Sequence, residues 1–360
     1  MSERHEPAPG LLSGVKILDF GIWRPVPYAT QLLADLGADV LKVEPPGGDP
    51  MRGFFELYAT ISSHKRSIEL DLKSADGLAR ALELAAEADV VTEGFRPGVA
   101  ERMGIGPDAI RAVNPDVVYL SLSGFGQDGP MRLAPGHDLG YQALAGTITP
   151  EGGEPVQSSM PWADLAGGLA AAFAVCAALV GRLLHGDGEV IDVAMTDVLA
   201  SWTGAAAGSY SASPGKRLKR LPGYGIYRCN DGWVALSGIT EQHFWTATCD
   251  ALGLDDVRDL TLNEWLDRSD ELVARIAAVF ATLSRADALE RLLAKGAPAA
   301  PVYDRAQMLA DEHLRVRRTV IDGPDGRPAL AHPVRYRDHP ASGPAVAAEL
   351  DEHHGEGFLD

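Results

Sequence analysis

Two hydrophobic rhythms alternate through the first half of the chain. VKILDF (Val15–Phe20) is a short apolar run of the kind that forms a buried strand, and YATQLLADLGA carries a helical pattern that ends near Gly37. ADVLKVE (Ala38–Glu44) predicts a second strand and SIELDL a short third. SADGLARALELAAEA is amphipathic with a helical period, and Ser74 is placed to cap it. DVVTEGF, GPDAIRAVNP and VVYLSLSGFG then read as strand, short helix and strand. Alternation at this spacing predicts right-handed βαβ units around a parallel sheet.

Beyond SGFGQDGP the rhythm changes. A glycine- and proline-rich stretch precedes a long helix beginning at Asp164, and EVIDVAMTDVLASW follows. Ser209–Pro222 is rich in Ser, Pro and basic residues and reads as a linker. YGIYRCNDGWVALSG predicts a hairpin turning at Asn-Asp-Gly. Helical segments run from Glu241 to about Gly296, a loop and a helix follow, and the tail from Pro324 is strand- and loop-like. The predicted organisation is a large domain (1–208), a linker (209–222), a small domain (223–320) and a tail (321–360).

Composition narrows the function classes. At 360 residues the chain exceeds what one core usually serves. A net charge of -18 argues against general binding to nucleic acid or anionic membranes, although a local basic pocket stays compatible with it. The apolar run Leu165–Gly181 is flanked by Asp164 and Arg182 and is expected to be a core helix, not a membrane span. Cys176, Cys229 and Cys249 are too scattered for a zinc site or a disulfide framework, and MSERHEPAPG has no apolar signal core. A cytoplasmic protein is the simplest expectation.

Three acid/base candidates stand out: the pair His137-Asp138 in APGHDLGY, Asp164 in PWADLAGG, and Glu241 in SGITEQHF. An isolated Asp at a helix start most often only caps it. Gly167 and Gly168 are unusual in the first turns of a helix, and they let a backbone or a ligand approach closely. A histidine beside a carboxylate suits proton transfer. An isolated Glu241 would be an ordinary helix-start charge. GFGQDG (Gly124–Gly129) has the GxGxxG spacing, but prolines follow it where a dinucleotide fingerprint opens a helix.

Taken in order, LADLGADVLKVEPPGGDPMR, KRSIELDLKS, EGFRPGVAERMGIG, LSGFGQDGP, GHDLGY, ADLAGG, GEVIDVAMTD and APAAPVYDRAQMLADEHLRVR resemble the class III CoA-transferase superfamily (CaiB/BaiF type) along nearly the whole chain. Gly136-His137-Asp138 and Glu241 are similar to its alpha-methylacyl-CoA racemase branch. The resemblance implies an α/β fold with a large Rossmann-like parallel-sheet domain, a smaller α+β domain, a tail that returns to the large domain, and an interlocked homodimer. It implies an acyl-CoA substrate, with coenzyme A part of that substrate and no prosthetic group or metal, and partners that include neither nucleic acid nor membrane. CoA contacts are implied at Arg52, Leu72, Lys73, Gly94, Phe95, Arg96, Arg102, Gly136 and Tyr141, with Arg66 a further candidate.

Two chemistries follow from the resemblance. As a racemase, His137 and Asp164 would exchange the α-proton of a 2-methylacyl-CoA through an enolate. Asp138 and Glu241, the latter from a partner subunit, would orient His137, and N–H groups by Gly167 and Gly168 would receive the enolate oxygen. As a transferase, Asp164 would be the nucleophile, forming an anhydride and then an enzyme–CoA thioester. The GHD motif makes the racemase the leading expectation. GIWRPVPYAT, with bulky Trp23 and Arg24, and Pro45 depart from the racemase pattern, and KVEPPGGDPMR is at home in the transferases. A non-catalytic acyl-CoA-binding paralogue ranks last, because both acid/base residues are present.

Overall fold

The computed structural model describes residues 9–148, 154–207 and 220–359. The polar N-terminus and most of the expected linker lie outside these residues. The chain divides into two compact units, 1–212 with 316–360, and 213–315.

In the first unit, strands β1 (Lys16–Asp19), β2 (Asp39–Glu44), β3 (Lys65–Glu69), β4 (Val90–Glu93), β5 (Val118–Ser123) and β6 (Val190–Ala194) form one parallel sheet in the order β3-β2-β1-β4-β5-β6. The helices are α1 (Pro25–Asp35), α2 (Phe55–Ser62), α3 (Ala75–Glu87), α4 (Val99–Arg102), α5 (Pro107–Val113), α6 (Asp138–Leu144), α7 (Trp162–His185) and α8 (Met195–Ala207). Ile17, Val40, Val90, Val118 and Leu120 turn one face of the sheet toward α1 and α7. Leu18, Leu41, Val91 and Tyr119 turn the other toward α3 and α5. Strands buried on both faces explain the unbroken apolar runs in the sequence. Strand order reverses between β1 and β4, so the loops leaving their carboxyl ends flank the crevice where such sheets bind ligands.

Ser74 caps α3 by accepting from Gly77 N–H at 3.0 Å. The GFGQDG loop opens no helix; its turn is tied by Gly126 N–H to Ser123 Oγ and Gln127 N–H to Asp192. The helix α7 is long and apolar enough to cross a membrane by length and composition alone. One side of it packs into the core through Ala163, Ala166, Gly167, Ala171, Val175 and Leu179. Leu169, Phe173, Val180, Leu183 and Leu184 form an exposed stripe along the other side.

The second unit contains an antiparallel sheet of β7 (Tyr224–Arg228), β8 (Trp233–Ser237) and β9 (Ala299–Pro301). The predicted hairpin is β7–β8, turning through residues 229–232, whereas β9 gave no alternating signal. Its helices are α9 (Gln242–Leu252), α10 (Leu262–Asp267), α11 (Ser269–Phe280), α12 (Arg285–Ala294) and α13 (Arg305–Ala310). Trp245, Trp265, Leu272 and Phe280 fill its core. The helix α14 (Glu312–Val316) leads back to the first unit, where β10 (Val320–Asp322) and β11 (Pro328–Leu330) pair.

The final residues cover the free edge of β3. His353 N–H donates to Ser67 C=O at 3.0 Å, and Glu69 N–H to Asp351 Oδ1 at 2.9 Å. Leu359 N–H reaches Asp39 at 2.7 Å, and Phe358 packs on the core. An edge strand left with open N–H and C=O groups invites foreign pairing, and the tail occupies them.

Candidate active site

A buried charge network sets the loop after β1. Asp19, fully buried, accepts from Gly21 N–H at 2.7 Å, Thr30 Oγ1 at 2.6 Å and Thr92 Oγ1 at 3.1 Å, and faces Lys65 Nζ at 3.3 Å. Burial drives the Lys65 ammonium down to about 8 against the opposing pull of Asp19. Lys42 pairs with Asp49 at 2.9 Å and donates to Gly21 C=O. Asp49 in turn accepts from Trp23 N–H at 3.3 Å. These contacts hold Trp23 at φ 64°, a left-handed conformation that a bulky residue rarely adopts. Pro25 then starts α1, leaving Arg24 at its N-terminus.

Arg24 faces the start of α7. Its Nη1 lies 3.5 Å from Asp164 Oδ2, with the two side chains 27% and 17% exposed. The glycines of ADLAGG make this approach possible. A Cβ on Gly168 would stand 2.8 Å from both Pro25 O and Tyr28 Cδ1, and one on Gly167 would stand 2.6 Å from Met195 Cγ. They admit protein, not ligand. Both lie beyond the first turn, where amides are consumed within the helix. The earlier amides are taken too: Trp162 N–H donates to Met160 C=O, Leu165 N–H to Pro161 C=O, and Ala163 and Asp164 N–H to Asp138 Oδ1 at 2.7 and 3.2 Å. The expected receptor for an enolate oxygen by Gly167 and Gly168 is therefore not formed.

The same bonds correct the role expected of Asp138. Its carboxylate caps α7 across space and accepts from Gln142 Nε2, so it does not orient His137. His137 stands at the N-terminus of α6 with an exposed side chain. Among the described residues its ring has no hydrogen-bond partner. It is still close enough to act on Asp164 electrostatically. Burial, and next the Asp138 charge, raise the Asp164 carboxyl to about 6, against the opposing effects of Arg24 and His137. Glu241 belongs to the other unit. It precedes α9, is exposed, and accepts from Ile239 and Thr240 N–H at 3.1 and 2.9 Å; its own backbone N–H, then these two, lower its pKa.

The candidate CoA residues divide into two groups. Lys73 and Gly94-Phe95-Arg96 follow the carboxyl ends of β3 and β4, and Arg102 ends α4. Lys73, Arg96 and Arg102 are exposed, while Leu72 and Phe95 are half-buried against the core. Arg52, by contrast, is committed elsewhere. Its guanidinium forks onto Glu44 at 2.6 and 2.7 Å, donates to Ala348 C=O at 3.1 Å and lies 4.4 Å from the Tyr58 ring centre. Burial pushes the Glu44 carboxyl up, yet hydrogen bonds from Arg52, Ser67 and Asp49 N–H outweigh it and hold the group at about 2. Arg66 is likewise bound to Asp39 and Glu356. These two arginines stabilise the fold and are not open to a phosphate. Tyr141 is a packing residue as well. Its ring fills the space left by Gly124 and Gly136, where a Cβ would approach within 2.3 and 2.6 Å, and it meets Phe125 edge-on. Among the described residues no group of three or more His, Cys, Asp or Glu side chains is arranged to hold a metal ion.

Sequence and fold both match one known family. The profile of CoA-transferase family III matches residues 12–354. The chain belongs to CoA-transferase family III. It is 31% identical to the beta subunit of succinyl-CoA–L-malate CoA-transferase from Chloroflexus aurantiacus, covering 95% of this chain and 92% of that one. It is also 31% identical to succinyl-CoA:mesaconate CoA-transferase from Haloarcula hispanica, with 96% and 95% covered. A CaiB/BaiF family protein from Brucella suis superposes with a TM-score of 0.84 at 28% identity, over 96% of this chain and 97% of that one. The two enzyme names are transferases, so the racemase branch that led the sequence reading lacks support here. Arg24, which faces Asp164, is not among the candidates that the motifs flagged. Its only sequence signal was a bulky, basic break in the loop after β1.

Proposed function

We propose that the protein is a CoA-transferase that moves CoA between carboxylic acids, with Asp164 as the nucleophile. The supporting observation is the Asp164 carboxylate itself. It is mostly buried and faces a cation, and nothing else in the described structure holds its oxygens. Ionised, it attacks the thioester carbonyl of an acyl-CoA, a C–O bond replaces C–S, and CoA leaves as thiolate. The thiolate then attacks the Asp164 carbonyl of the mixed anhydride, releasing the first acid as carboxylate and leaving an enzyme–CoA thioester. A second acid reverses the two steps and carries CoA away. The names of the relatives favour small dicarboxylic acids and succinyl-CoA as the first substrates to try.

CoA itself would lie across the carboxyl ends of β3, β1 and β4, with Lys73, Arg96 and Arg102 toward its phosphates. The working assembly would be a homodimer. The racemase remains the second reading, supported by the proximity of His137 to Asp164.

One experiment separates them. The protein is incubated with succinyl-CoA, treated with hydroxylamine or borohydride, and digested for mass spectrometry. Modification at Asp164, lost in Asp164→Asn, supports the transferase. No modification, together with α-proton exchange of (S)-2-methylacyl-CoA in deuterated water without any acceptor acid, would overturn it in favour of the racemase.

A further inference from the structure

We propose that Arg24 receives the carboxylate of the incoming acid, and that it does so only while Asp164 carries an acyl or CoA group. This rests on the transferase reading above. The Arg24 guanidinium has one side-chain partner among the described residues, Asp164, and the contact is long and single: Nη1 to Oδ2 at 3.5 Å. A guanidinium offers five N–H donors in a planar fork made for two carboxylate oxygens. Most of that fork is unused by the protein. Its root, however, is fixed. The Trp23 N–H bond to Asp49, the turn into Pro25 and the Tyr28 N–H bond to Arg24 C=O at 2.8 Å all anchor the backbone on either side.

The chemistry of Asp164 turns this fixed cation into a switch. In the resting enzyme the two charges cancel. Acylation removes one of them, because an anhydride or thioester of Asp164 is neutral. Arg24 is then a mostly buried cation without a counter-ion, a state that a new carboxylate relieves. The acid that fills the fork has its carboxylate beside the Asp164 acyl carbon, so attack proceeds from a bound geometry. One carboxylate oxygen forms the new C–O bond as C–S breaks, and CoA leaves as thiolate. The thiolate attacks the acid's carbonyl, C–S forms, C–O breaks, and Asp164 departs as a carboxylate that reclaims Arg24. No proton or electron needs an outside source. The acid should therefore bind the enzyme–CoA thioester much more tightly than the free enzyme.

The test uses Arg24→Gln and Arg24→Lys, with succinyl-CoA as donor and the best acceptor from a panel of short mono- and dicarboxylic acids. Wild type is first checked for the trapped Asp164 thioester. The KM for the acid is expected to rise by about tenfold or more in Arg24→Gln, the loss of one charge-assisted bond. The KM for succinyl-CoA should stay within about threefold, since the fork is not asked to bind the CoA moiety. Arg24→Lys, which keeps the charge and loses the fork, should fall between, and it carries the test if Arg24→Gln does not fold. An unchanged acid KM in a folded variant that still forms the thioester overturns this role and leaves the transferase standing. A wild type that forms no thioester overturns both.

Discussion

At the scale of residues, the proposed role of Asp164 would couple activity to pH. A nucleophilic carboxylate must be ionised, and this one loses its proton near pH 6. The rate of CoA transfer, followed as kcat/KM against pH, should fall below about pH 6. Asp138→Asn removes the charge that helps to raise Asp164 but keeps an oxygen to cap α7. Its acid limb should move to lower pH with little loss of Tm. Raising the pKa of Asp164 also costs stability whenever the group is ionised. Wild type should therefore lose more Tm than Asp164→Asn between pH 5 and pH 8, which differential scanning calorimetry can compare. Glu44 behaves in the opposite way. Its folded-state value of about 2 lies below the unfolded value of 4.5, so its contribution is complete above about pH 4.5 and is lost between there and pH 2. On the order of 3 kcal/mol is at stake. Arg52→Ala should weaken this acid resistance, as measured by acid unfolding, and leave the affinity for CoA unchanged.

At the scale of elements, the sheet was legible where apolar residues run unbroken and obscure where charge is buried. The strand β3 starts at Lys65, two residues before the expected SIELDL, because Lys65 and Arg66 satisfy their charges on Asp19 and Asp39. Such long-range pairing has no local signature. The helix α7 begins at Trp162, ahead of Asp164, for a similar reason: its cap is Asp138, from a different helix. The pattern marked His137, Asp138 and Asp164 as chemically interesting, but it misassigned Asp138, and it noted Arg24 only as a break in the first loop, without connecting it to Asp164 across 140 positions. The glycines were read correctly as places of close approach, though the partners are α1 at Gly168 and Met195 of α8 at Gly167. Gly168→Ala should force α1 and α7 apart at a cost of about 1–3 kcal/mol. The separation of Arg24 from Asp164 would raise the KM for the acid by more than the stability loss explains, a point that a melting curve beside a rate assay decides. On the opposite side of α7, the homodimer proposed above would account for the exposed stripe. Phe173→Glu should then weaken self-association in sedimentation velocity while the far-ultraviolet circular dichroism stays native.

At the scale of the whole molecule, the second unit is an insertion. The chain leaves the first unit after its sheet is laid out and returns only at residue 316. The last stretch of chain then closes the edge of β3 through Asp351, His353 and Phe358. The order of synthesis gives this closure a consequence. A ribosome releases the six strands long before it releases the residues that seal them. For the time needed to translate the second unit and the tail, at roughly 5–20 residues per second, β3 is an open template for any extended chain nearby. The segment that seals β3 is thus made after the whole of the second unit, and until it emerges this strand is the edge at which the nascent chain is open to foreign pairing.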